Sequence, residues 1–105
     1  MTPDPEACPP ASVPAGVLHS ELLIVNRKGL HARASAKFVQ TVERYDALVT
    51  VTRCGETVGG RSIMGLLTLG AAQGTTISVT AEGKQAAESL AALTELVANR
   101  FGEEE

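Results

Sequence analysis

From Glu21 onward, apolar positions recur in two rhythms, one of period about two and one of period about 3.6, and the switches between them outline the elements. "ELLIVNR" reads as a short strand that "KG" ends. In "HARASAKFVQTVERY", Ala32, Ala36 and Val39, joined by Ser35, Phe38 and Val42, follow a helical period. "ALVTVTR" alternates with Val49 and Val51 inward, "CGE" turns, and "TVGGR" is the weaker second strand of a hairpin. Ser62 is placed to cap "SIMGLLTLG", a short helix with Gly70 past its end. "TTISVT" alternates again, and "KQAAESLAALTELVANRF" carries Ala86, Leu90, Leu93 and Val97 as the apolar stripe of a long helix.

The order is βαββαβα. Short connections and right-handed crossovers then predict an α+β fold, an open-faced β-sandwich with a four-stranded antiparallel sheet and three helices on one face. Residues 1–19 hold all five prolines and read as a disordered extension, because such a stretch buries too little surface to offset its ordering. Residues 20–102 are the expected folded domain. The acidic residues 103–105, in "GEEE", read as a frayed, solvated tail.

Composition narrows the function. Tryptophan is absent and aromatics are 3% of the chain, so the core must come from Val, Leu, Ile and Ala, and the stacking platforms that bind single-stranded nucleic acid are missing. A net charge of −3 gives no general attraction to nucleic acid or to an anionic membrane. The longest apolar runs, "LLIV" and "GLLTLGAA", are too short to cross a bilayer. Asp4 and Glu6 stand among prolines where a signal peptide needs basic residues and then an apolar block, so the cytoplasm is the expected location. In that reducing compartment Cys8 and Cys54 are expected as two free thiols.

The chemistry concentrates at "KGLHARASAKFV". Gly29 permits a tight turn out of the strand, so the helix should start at or just after His31. The backbone N–H groups of Ala32, Arg33 and Ala34 then lack helix partners and, with the helix dipole, form a place for a phosphate. Arg33 adds a planar guanidinium suited to phosphate oxygens. Between Leu22 and Val42 the charged residues are Arg27, Lys28, Arg33 and Lys37, all basic, which suits an anionic ligand or an acidic partner. A neutral imidazole has a ring-nitrogen lone pair able to attack phosphorus. The plainer alternative is a polar capping histidine followed by a solvated arginine. No hydrolytic base is evident, since the nearest carboxylates along the chain are Glu21 and Glu43. His19, His31, Cys8 and Cys54 lack metal-ligand spacing, so neither a metal nor a cofactor is expected.

"GLHARAS", followed some thirty residues on by "RSIMGLLTLG" in this element order, resembles the HPr family, the histidine-containing phosphocarriers of the bacterial phosphoenolpyruvate-dependent phosphotransferase system. The resemblance spans residues 21–101. It implies that His31 accepts a phosphoryl group from enzyme I and donates it to a histidine of an enzyme IIA component, linking the chain to sugar transport or nitrogen regulation. Arg33 matches the family's active-site arginine, and the backbone of Ala32 and Arg33 would bind the phosphate. Ser62, by itself a helix cap, matches the family's regulatory serine, which brings in a serine kinase or phosphorylase as a partner. Arg27, Lys28, Ile63, Met64, Leu66 and Leu67 are the expected partner-docking residues, with Met64 the most exposed anchor. A monomer that binds neither nucleic acid nor membrane is expected.

The chain departs from the family at Ala34, where many members carry proline. Proline stiffens a first helical turn, and Ala34 leaves it freer. That bears on the rate of transfer and not its chemistry, and is the mark expected of a branch devoted to regulation, such as the nitrogen-related system, over sugar uptake. Two other classes compete with the carrier. One is a regulatory module acting through Ser62. The other is an acylphosphatase-like hydrolase, which needs an asparagine beside its arginine; Asn26 and Asn99 are the only asparagines, and neither stands beside an evident anion loop.

Overall fold

The computed structural model describes residues 16–104. Four strands, β1 (Leu18–Leu23), β2 (Leu48–Arg53), β3 (Glu56–Gly59) and β4 (Thr76–Glu82), form one antiparallel sheet in the order β1-β4-β2-β3. The helices are α1 (Ala32–Val42), α2 (Ile63–Thr68) and α3 (Ala86–Ala98), followed by a 3-10 turn at Arg100–Gly102. The expected βαββαβα order and four-stranded antiparallel sheet are therefore present.

Strand alternation makes the sheet two-sided. Leu22 lies opposite Ile77, and Val51 and Val49 lie opposite Val79 and Ala81; all six are buried on the face that receives the helices. The other face is polar. There Ser78 donates to the Glu21 carboxylate at 2.7–2.8 Å, Thr50 meets Thr80, and Thr52 meets Thr57 at 2.7 Å. The helix face is closed by Phe38, Val39 and Val42 of α1, Leu66 of α2 and Leu93 and Val97 of α3. Both phenylalanines of the chain, Phe38 and Phe101, are completely buried. Each adds about 1.5–3 kcal/mol to a core otherwise made of aliphatic side chains.

Element ends shift from their sequence positions for local reasons. β1 begins at Leu18 and stops at Leu23, not at Arg27, because Asn26–Gly29 is committed to a turn. Leu18 and His19, expected in the extension, are the first residues of β1 and pair with Ala81 and Thr80 of β4; residues 1–15 of that extension lie outside the described residues. On α1 the buried stripe is Ala34, Ser35, Phe38, Val39, Thr41 and Val42, whereas Ala32 is exposed, since the helix starts there and its first turn points away from the sheet. The helix closes at Val42, with Tyr45 N–H bonded back to Val42 at 3.2 Å. α3 stops at Ala98 because Arg100 and Phe101 adopt left-handed backbone, φ 57° and 54°. That conformation is strained for non-glycine residues, and the burial of Phe101 offsets it.

The Cys54–Gly55 hairpin turn has both residues at positive φ, matching the twist of β2 and β3. Cys54 is disulfide-bonded, which corrects the expectation of a free thiol. The turn holds it at the exposed tip of the hairpin. Cys8, the other cysteine, lies outside the described residues. Among the described residues, no helix is long and apolar enough to cross a membrane.

Candidate functional site

The turn before α1 is built to place one side chain. Gly29 has φ +68°, and a Cβ there would lie 2.5 Å from the Ala71 carbonyl oxygen, so only glycine fits. The next N–H, that of Leu30, donates to the same Ala71 oxygen at 2.8 Å, and the buried Leu30 side chain pins the turn to the core. His31 follows as the N-cap of α1, with extended backbone and no side-chain capping bond. The first helical bond runs from Ser35 N–H to His31 O at 2.8 Å, so the N–H groups of Ala32, Arg33 and Ala34 have no helix carbonyl to bond. The imidazole is thus spared from capping and sits, one quarter exposed, beside a helix start that attracts anions.

What holds the ring comes from the far end of the chain. Nε2 of His31 contacts Oε2 of Glu103, whose Oε1 accepts from Asn26 Nδ2 at 2.9 Å. The second Nδ2 hydrogen of Asn26 goes to the Gly29 carbonyl at 2.8 Å. Burial alone would raise the Glu103 pKa, but hydrogen bonds from Asn26 and His31, with the nearby positive charges of His31 and Lys28, outweigh it and leave the carboxyl below its ordinary value. An ionised carboxylate only accepts, so Nε2 carries the proton and, in the neutral ring, Nδ1 carries the lone pair.

Two expectations are corrected here. Glu103 is not part of a frayed tail: the left-handed turn at Arg100–Phe101 and the bond from Lys37 Nζ to Phe101 O at 2.6 Å fold it back onto α1. Asn26, which stands beside no evident anion loop in the sequence, is fully buried next to this one, bonded to Gly29 and Glu103. Sequence reasoning had one signal for Glu103. Phe101 is an apolar residue at the end of the expected long helix, directly before the acidic run, and its burial carries the acidic residues with it.

Arg27, Lys28 and Arg33, all exposed, join Glu103 and Glu104 around a polar cleft of about 310 Å³. The expected cationic group is therefore assembled, with acidic residues already inside it. Lys37 is used elsewhere, on Phe101. On α2, Ser62 is exposed and caps the helix, accepting from Gly65 N–H at 3.0 Å. Met64 is 71% exposed and Ile63 40%, while Leu67 is half-buried. Leu66 is completely buried and is removed from the docking set: a six-residue helix packed against α1 and β3 must turn one side to the core, and Leu66 is on it. Among the described residues, no group of three or more His, Cys, Asp or Glu side chains is placed to hold a metal ion.

Residues 18–99 match the family model described as the PTS HPr component phosphorylation site. The chain is 46% identical over 89 residues to the phosphocarrier protein HPr of Neisseria meningitidis serogroup B, covering 85% of this chain and 100% of that protein. It is 49% identical over 86 residues to the phosphocarrier protein HPr of Pseudomonas aeruginosa, covering 81% and 96%. The crystal structure of HPr-C-His from Thermoanaerobacter tengcongensis has a TM-score of 0.80 to it at 38% identity, covering 84% of this chain and 99% of that one.

Proposed function

The chain belongs to the HPr family of phosphocarriers, and from that membership we propose that Nδ1 of His31 takes a phosphoryl group from phosphorylated enzyme I and passes it to a histidine of an enzyme IIA component in the cytoplasm. The observation that carries this reading is the Glu103 carboxylate on Nε2, which leaves Nδ1 as the nucleophilic nitrogen. The Nδ1 lone pair forms the new N–P bond while the donor's N–P bond breaks and its electron pair returns to the donor ring. The N–H groups of Ala32 and Arg33 and the Arg33 guanidinium receive the dianionic oxygens. The transfer is stoichiometric, with one group held per chain.

Enzyme I and phosphoenolpyruvate test the proposal together. One acid-labile phosphoryl group per chain, assigned to Nδ1 by phosphorus NMR, is the expected result. Continuous release of inorganic phosphate would overturn it in favour of a hydrolase, and undiminished labelling of His31→Ala would overturn the assignment. Partner docking falls to Arg27, Lys28, Ile63, Met64 and Leu67, a basic rim beside an apolar patch that suits transient, salt-sensitive contact with acidic partners. Ser62 is the regulatory position: a phosphate there adds nearly two negative charges beside the surface acidic partners use.

A further inference from the structure

We infer that Asn26 and Glu103 are a positioning pair, holding the His31 ring by Nε2 and supplying the counter-charge when a phosphoryl group occupies Nδ1; the inference rests on the phosphocarrier reading above. Glu103 lies past residues 18–99, the span that the family model matches. Three features indicate a built device. The Asn26 amide is completely buried, and both its hydrogens are used, one on the Gly29 carbonyl and one on Glu103, while Oδ1 has no partner. Flipping the amide would set Oδ1 against two acceptors, so its orientation is forced. Second, the tether that brings Glu103 here is ordered at each step: Gly102 N–H bonds Asn99 O and Glu103 N–H bonds Arg100 O, each at 2.9 Å, over the buried Phe101. Third, the Glu103 side chain is only 14% exposed and turned onto His31 and Asn26, with one carboxylate oxygen on each.

The chemistry needs such a group. As the Nδ1 lone pair bonds to phosphorus, a ring already protonated at Nε2 becomes cationic, and the carboxylate opposite stabilises that charge. On onward transfer the N–P bond breaks and its electron pair returns to Nδ1. The Nε2 proton stays in place throughout, so the ring leaves as a neutral, weakly basic group. Asn26 does not touch the reacting atoms. It fixes the carboxylate and, through Gly29, the turn that presents the ring.

The test uses the full chain with enzyme I and phosphoenolpyruvate, comparing Glu103→Gln, Glu103→Ala, Asn26→Ala and the Asn26→Ala/Glu103→Gln pair. Glu103→Gln and Glu103→Ala should slow phosphoryl acceptance roughly tenfold, the lower end of what losing a carboxylate that orients a metal-ligating histidine costs. Asn26→Ala should slow it similarly, with the double variant no slower than either single one. Nitrogen NMR of the His31 ring gives a readout that a purely structural role would leave unmoved: the Nε2–H signal should lose its carboxylate shift in both Glu103 variants. Wild-type acceptance rates in the Glu103 variants, multiplying effects in the double variant, or an unchanged ring spectrum would each overturn the inference. Should Asn26→Ala not fold, the two Glu103 variants still decide through rate and spectrum. Wild-type chain that fails to label at His31 overturns the carrier reading instead, so the two failures are told apart.

Discussion

The starts of α1 and α2 solve the same problem in opposite ways. At α2, Ser62 gives its oxygen to Gly65 N–H, and the helix end is closed by its own side chain. At α1, His31 occupies the equivalent N-cap and makes no such bond; its ring is held by Glu103 instead. The first arrangement gains stability and the second forgoes it, leaving helix N–H groups for an incoming anion. One sequence position, the N-cap, thus serves structure in one helix and chemistry in the other.

Substitutions separate the two ends. The largest effect is expected for His31→Ala, which should abolish phosphoryl acceptance; no capping bond is lost, and the lost Glu103 contact should lower stability by about 1–3 kcal/mol without unfolding the chain. Radiolabel transfer and thermal unfolding measure both. Arg33→Ala should slow acceptance by about ten- to a hundredfold, the loss of a charge-assisted hydrogen bond worth about 1.5–3 kcal/mol. Ser62→Asp keeps a competent cap, so its unfolding midpoint should hold while acceptance from enzyme I falls severalfold; a native rate would show that negative charge at α2 goes unread. Ser62→Ala should do the reverse, lowering stability by about 1 kcal/mol with acceptance unchanged.

The smallest effect concerns pH. The Glu103 carboxyl lies below the ordinary value of 4.5 in the folded chain, so its contacts stabilise the fold above that pH, and the contribution is lost as pH falls through the lowered value. Unfolding of the wild type and Glu103→Gln should therefore differ near neutrality and converge in acid. A difference that widened in acid would contradict the contact.

The periodic parts of the chain were legible because each depends on neighbours a few residues away. Val49 and Val51 read as inward-facing from alternation alone, and Ala86, Leu93 and Val97 as buried from a single helical stripe. His31 and Arg33 were legible because a glycine turn, an N-cap and the helix start occupy consecutive positions. Asn26 and Glu103 were not. They meet across 77 residues, and no local pattern records that a left-handed pair at Arg100–Phe101 turns the chain back. Leu66 failed for a different reason: in so short a helix four apolar residues look alike, and only the direction of the neighbouring α1 and β3 decides which one is enclosed.

The Ala71 carbonyl has a further consequence. Gly29 rests against it and Leu30 bonds to it, so the segment leaving α2 is also the anvil on which the His31 turn is shaped. The two ends therefore inherit change together. A graft that retunes recognition on α2 must carry the Ala71–Ala72 backbone unaltered, or the donor nitrogen moves although nothing near it was rewritten.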